Sequence, residues 1–284
     1  MKGGFYFVLD FQGEIIRCRA RGRLKEKGLD LLVGDLVEID RREKVIEKVY
    51  PRKNSLTRPQ VANIDQVVIL MSVSRPPLDL VLLDRLLVTA EKALLEIVIG
   101  LNKTDLLKGP EMDRVKEILG VFRDCGYRVI LTSALTEQGV NELKNNLKGK
   151  VSVFAGPSGA GKSTFINKLK PGLGLLSEPV SSKTERGRHT TRHVELLKLA
   201  DETFVADTPG FQRLNLEGIA AQELSSFFPE MSLHEPCRFN SCLHRAEPGC
   251  AVKDALQRGK IASWRYNHYL DFLEEIEQLE KRKY

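Results

Sequence analysis

The run Gly156-Pro157-Ser158-Gly159-Ala160-Gly161-Lys162-Ser163 constrains this chain more than any other feature. It fits G-x-x-x-x-G-K-[ST], follows an apolar strand-like segment and opens a helix-like one. The glycines let backbone N–H groups turn inward around phosphate oxygens, and the helix N-terminus adds partial positive charge. Lys162 is expected to reach the β- and γ-phosphates. The Ser163 hydroxyl is expected on Mg²⁺, with Thr164 beside it in the nucleotide contact set.

Four further motifs surround this loop. Asn102-Lys103-Thr104-Asp105 follows the apolar run Ile97–Leu101 and fits N-K-x-D. Its carboxylate can accept from the ring N–H and exocyclic amino group of guanine, which adenine does not offer in that arrangement. The Asn102 amide is expected on the other edge of the base, with the Lys103 stem over the ring. Ser133-Ala134 closes the next strand and suits a backbone contact to the base. Asp207-Thr208-Pro209-Gly210 fits D-x-x-G, with Asp207 holding Mg²⁺ through water and the Gly210 N–H sensing the γ-phosphate. Between the P-loop helix and the strand from Arg192 lies Gly187-Arg188-His189-Thr190-Thr191. Thr190 and Thr191 both qualify as the second Mg²⁺ hydroxyl, and Thr191 is preferred.

The order is circularly permuted. N-K-x-D and S-A come first, then the P-loop, the threonines and D-x-x-G. Domain termini usually lie near one another, so a permuted sheet can be the same in space. The D-x-x-G segment now leads straight into the C-terminal region, so nucleotide state is expected to reorient the flanking domains. Phe211 follows Gly210, where many GTPases carry a water-orienting Gln, and Gln212 is one residue late. His189 is the best candidate to position water, with backbone or a partner's groups as alternatives.

Residues 1–60 read as short strands (Phe5–Leu9, Glu14–Arg21, Asp35–Ile39, Lys44–Val49) and predict a small all-β barrel, with Pro51–Pro59 as a linker. Residues 61–215 alternate strands and helices, predicting an α/β domain with a largely parallel sheet. Residues 216–284 predict a mostly helical unit: a helix over Ile219–Phe228, a Cys/His cluster, and an amphipathic helix over Ile261–Lys283. Apolar runs are strand-sized, which excludes a membrane span, and the N-terminal run is too short for a secretory signal. A cytoplasmic monomer is expected.

Cys237-x4-Cys242-x-His244-x5-Cys250 supplies three thiolates and an imidazole, matching a closed, structural Zn²⁺ site. His234 is a rival histidine, but it lies outside the cysteine bracket. Cys18 and Cys125 remain as bystander thiols. The net charge is +6, distributed as +5 over residues 1–60, +3 over 61–214 and −2 over 215–284. The N-terminal excess includes Arg17, Arg19, Arg21 and Arg23 at period two, one face of a strand, with Lys25 and Lys27 prolonging it. RNA is the partner such a barrel face suggests. The arginine run holds no aromatic residue, so phosphate contact is expected over base stacking.

The permuted order, the segment Gly187–Thr191 and the stretch Cys237–Leu256 together resemble the RsgA (YjeQ/YloQ) family of circularly permuted GTPases, over essentially the whole chain. The resemblance implies an N-terminal OB-fold, a central GTPase domain and a C-terminal zinc-binding domain. It implies GTP hydrolysis stimulated by the small (30S) ribosomal subunit during late maturation of that subunit. It also implies a catalytic role for His189. Two rival readings stay open on the residues alone: an RNA-binding module with structural nucleotide, and a GTPase switch acting on a protein partner.

Overall fold

The computed structural model describes residues 4–22, 24, 30–57, 60–170, 195–207, 216–232 and 236–282. Strands β1 (Phe5–Leu9) and β2 (Ile15–Ala20) form an antiparallel hairpin. Its turn is held by Asp10, whose Oδ1 accepts from the Gln12 and Glu14 N–H groups at 2.9 and 2.8 Å. Gly13 supplies the φ of +83° that the turn requires. Strands β3 (Val37–Asp40) and β4 (Val45–Val49) pair antiparallel, and β4 lies parallel to β2, giving the order β1-β2-β4-β3. Alternation sends Ile16, Cys18 and Ile46 into a small core with Leu24. Among the described residues β1 and β3 do not pair, so closure into the expected barrel is not seen there.

Within the stretch read as a linker, the described residues 51–57 end in a strand. Strands β5 (Ser55–Thr57) and β6 (Gln60–Ala62) form a hairpin across it. Asn54 stitches its base, donating to Ile64 O and accepting from Ile64 N–H, both at 2.8 Å. Val61 then joins the core of the central sheet, an anchoring that the polar composition of Pro51–Pro59 conceals.

That sheet is built from β7 (Gln66–Ser72), helix α1 (Leu80–Lys92), β8 (Glu96–Asn102), α2 (Pro110–Asp124), β9 (Arg128–Leu131), α3 (Val140–Leu147), β10 (Val151–Ala155), α4 (Lys162–Leu169), β11 (Glu195–Ala200) and β12 (Thr203–Asp207). The strand order is β11-β12-β10-β7-β8-β9, parallel throughout except for β11. The chain enters at β7, runs out to the β9 edge, and returns through α3 to place β10 in the middle. Strands covered on both faces are continuously apolar, as in Gln66-Val-Val-Ile-Leu-Met-Ser72. Val67, Ile69 and Met71 face α1 and α2, whereas Val68 and Leu70 face α3 and α4.

Beyond Leu216 the expected helix over Ile219–Phe228 is mostly turn, with a 3₁₀ segment at Leu224–Phe227. Pro229 holds the preceding Phe228 out of the helical region, at φ −117° and ψ 92°, and α5 (Pro229–Ser232) restarts after it. Helix α6 (Ala251–Gln257) follows the last cysteine; the sequence reading did not include it. Helix α7 (Ser263–Lys281) matches the long amphipathic pattern, and no described helix is long and apolar enough to cross a membrane.

The face that α7 buries also includes Arg265, which an apolar pattern does not show. This side chain is 1% exposed, lying between the rings of Phe122 and Phe228. It donates to Asp84 of α1 at 2.6 Å and to both carboxylate oxygens of Glu230. His268 Nδ1 lies 2.6 Å from the other Asp84 oxygen. Burial works against the charge on Arg265, but the Asp84 and Glu230 carboxylates outweigh it and move its pKa up. Nearby, Arg85 makes a two-point contact with Glu275, at 2.8 and 2.6 Å.

Candidate nucleotide site and metal cluster

The P-loop leaves the buried strand β10 at Gly156 and enters α4 at Lys162. Gly156 has φ +130°, and a Cβ there would collide with the carbonyl oxygen of Leu70. Gly161 has φ +95°, and a Cβ there would strike the Asn102 amide. Both positions therefore require glycine for conformation and for space. The Lys162 ammonium donates to the carbonyls of Gly156 (2.8 Å) and Pro157 (2.9 Å), which places it inside the loop. Ala160 is buried, Gly159 and Ser163 are half-buried, and Ser158 and Thr164 are exposed.

Permutation has not separated the motifs. Asn102 is 1% exposed and joins three of them. Its Nδ2 donates to Ala160 O at 2.8 Å, and its Oδ1 accepts from the Ala134 N–H at 3.1 Å. The amide thus ties the P-loop to the S-A turn. Thr104 is 3% exposed, and its hydroxyl donates to Thr132 O at 3.0 Å with Gln138 Oε1 at 3.1 Å. It braces the two loops against each other.

Asp105, the acid expected to read the base, is half-buried. It accepts from the buried Ser133 hydroxyl, which in turn accepts from the Thr136 N–H at 3.1 Å. Sequence reasoning credited the S-A turn with a backbone contact only; the serine hydroxyl also fixes the rotamer of the specifying acid. Gln138, which no motif flags, holds the same turn by accepting from the Ser133 N–H through its main chain. Lys103, in the left-handed region at φ +66°, donates to the Arg75 carbonyl, and burial lowers its pKa.

Strand β12 delivers the backbone of Asp207 beside the P-loop strand, with Val153 opposite Ala206. His189, Thr190, Thr191, Gly210, Phe211, Gln212 and His234 lie outside the described residues, as do Arg23, Lys25 and Lys27.

The second site is the cluster Cys237, Cys242, His244 and Cys250, whose ligand atoms all lie within 4.8 Å of one another. His244 Nδ1 is 3.5, 3.6 and 3.4 Å from the three sulfurs in that order, and Cys237 and Cys250 Sγ are 3.9 Å apart. Tetrahedral bonds of about 2.3 Å to sulfur and about 2.0 Å to nitrogen give edges of about 3.5 Å (N to S) and about 3.8 Å (S to S), so the donor set fits one such ion. Burial lowers the His244 pKa, favouring the neutral imidazole that a metal requires. The loop is braced by Glu247. Partial burial pushes this carboxyl up, but the N–H donors of Leu243, Arg245, Ala246 and Glu247 itself prevail and bring it to about 2. Tyr266 and Tyr269 of α7 donate to His244 O (2.5 Å) and Leu243 O (2.9 Å), linking the metal loop to the helix that carries Arg265. The remaining thiols have structural surroundings: Cys18 is fully buried, and burial beside Glu230 pushes Cys125 up to about 12.

Comparison with known proteins agrees with this geometry. The RsgA GTPase family model matches residues 49–217, and the RsgA N-terminal domain model matches residues 1–45. A protein of Moorella thermoacetica described as small ribosomal subunit biogenesis GTPase RsgA is 49% identical over 278 residues, 96% of this chain and 94% of the relative. One from Caldanaerobacter subterraneus with the same description is 45% identical, covering 99% of this chain and 95% of the relative. Among solved structures, YjeQ from Thermotoga maritima superposes with a TM-score of 0.86 at 38% identity, covering 97% of this chain and 95% of that one. YloQ, described as a circularly permuted GTPase, gives 0.81 at 34% identity, with 98% and 93% coverage. A permuted motif order reassembled around Asn102, a Cys₃His cluster behind it and full-length likeness to these proteins have one explanation: the chain belongs to the RsgA GTPase family.

Proposed function

We propose that this protein hydrolyses GTP on the small ribosomal subunit, in the late maturation of that particle. The observation that carries the reading is the joining of P-loop, N-K-x-D and S-A turn through Asn102, with Asp105 held for guanine, in a chain 49% identical to a small-subunit biogenesis GTPase. Lys162 neutralises phosphate charge, Ser163 and Thr191 hold Mg²⁺, Asp207 and Gly210 sense the γ-phosphate, and His189 positions the attacking water. We read three units, 1–60, 61–215 and 216–284, with the β5–β6 hairpin across the first boundary. The first is an OB-fold that contacts ribosomal RNA; the second is the GTPase domain. The third is stapled by one structural Zn²⁺. The protein acts as a cytoplasmic monomer.

Phosphate release under multiple turnover tests the activity. GTP, and not ATP, is the expected substrate, with strong stimulation by 30S subunits and none by 50S subunits. Equal stimulation by both particles would overturn the ribosomal reading. No turnover with GTP would leave only a structural nucleotide.

The metal has its own test. Protein purified without chelator is expected to hold one zinc per chain by elemental analysis. Cys250→Ser should lose it and lower the melting temperature, because metal binding is coupled to the folding of such short helices. Full thermal stability without zinc would contradict the assignment.

A further inference from the structure

The outward face of the N-terminal hairpin carries more than charge. Register sets Phe5 opposite Arg19, Phe7 opposite Arg17 and Leu9 opposite Ile15, while Tyr6, Val8, Ile16 and Cys18 turn into the core. The strand neighbouring the arginine row thus supplies the aromatic rings that the row itself lacks. The Arg17 guanidinium lies 3.6 Å from the Phe5 ring centroid, and that of Arg19 lies 4.7 Å from it. Phe7 is 59% exposed and Ile15 is 67% exposed, a costly display of apolar surface on a two-strand face. Arg21, next along the row, is paired with Glu47. Among the described residues neither Arg17 nor Arg19 makes an ion pair.

We propose that this face binds single-stranded RNA by stacking a base on Phe7, with Arg17 and Arg19 holding the flanking phosphates. The proposal deepens the RNA contact put forward above and rests on it. A guanidinium lying flat on Phe5 keeps its N–H edges free for phosphate oxygens. Two such cations side by side repel each other until a polyanion neutralises them, which favours nucleic acid over an apolar protein surface. The exposed Phe7 ring opposite Arg17 offers what a phosphate-only site does not need: a π-face for a base. An unpaired strand presents its bases for this, whereas a duplex buries them. The proposal thus adds base stacking to the phosphate contact expected of the arginine row.

The test compares a 12-nucleotide oligoadenylate with an abasic 12-mer of equal charge, by fluorescence anisotropy on the full-length protein at fixed salt. Wild type is expected to prefer oligoadenylate about tenfold, the worth of one base stack. Phe7→Leu keeps an apolar strand residue; it should lose that preference, leave abasic binding unchanged and keep the wild-type melting temperature. The double variant Arg17→Gln/Arg19→Gln should weaken both oligonucleotides. Equal wild-type affinity for the two, or an unchanged preference in Phe7→Leu, would overturn base stacking. A Phe7→Leu defect on 30S subunits without one on oligoadenylate would also overturn it, pointing to a protein contact. Stimulation of the wild-type GTPase by 30S subunits stays a separate readout, so this proposal can fail while the ribosomal function stands.

Discussion

Asp105→Asn is expected to weaken GTP binding by about a hundredfold or more and to transfer the preference to xanthosine triphosphate. The carboxylate offers two acceptors to the two guanine donors. An amide replaces one acceptor with a donor, which then faces the exocyclic amino group. A site built to satisfy ligand hydrogen bonds rejects a mismatched partner strongly, because polar groups are left desolvated and unpaired. Xanthine carries a carbonyl where guanine carries that amino group, so the amide regains a partner. The effect should be sharp because Asp105 does not rotate freely: the Ser133 hydroxyl, itself held by the Thr136 N–H, fixes its position. Competition of GTP and xanthosine triphosphate for bound fluorescent GDP measures both halves. A variant that loses GTP without gaining xanthosine triphosphate would show that Asp105 serves loop structure and does not read the base.

Arg265→Met is expected to destabilise the fold by about 3–5 kcal/mol, the cost of removing one partner from a buried ion pair. The loss would strand Asp84 and Glu230, 0% and 6% exposed, without their cation. Urea unfolding measures it, and adding Asp84→Asn and Glu230→Gln to Arg265→Met should recover part of the loss. A change within about 0.5 kcal/mol would place Arg265 among ordinary surface substitutions and refute its role. The same network bears on the expected reorientation of flanking domains. Swinging the C-terminal unit off α1 would expose a charged cluster and break the Arg85–Glu275 contact. For this unit the expected result is therefore no reorientation. Spin labels at the exposed positions Glu117 and Glu274 should report one distance in the GDP and GTP-analogue states.

Much of this molecule could be read along the chain. Where one helical or strand turn contains the whole signal, the reading is close: Val140–Leu147, Val151–Ala155 and Lys162–Leu169 are the observed elements. The four metal ligands lie within fourteen residues of one another, so spacing alone nominates them. The failures are also local in cause. Pro229 holds Phe228 out of the helical region at the end of a segment that apolar periodicity read as helix, and Asn54 pins the stretch read as a linker to Ile64.

The sequence by itself determined which chemical groups exist and in what order: a phosphate loop, a guanine-reading acid, three thiols with an imidazole, and a row of arginines. Only the tertiary structure decided what those groups touch. Asn102 meets Ala160 across 58 residues and Arg265 meets Asp84 across 181. The phenylalanines reach the arginine row only through strand register. Periodicity reports which face of an element is apolar. It carries no record of the partner brought to that face by the closure of long loops, and a buried guanidinium or a turned amide is therefore visible only after folding.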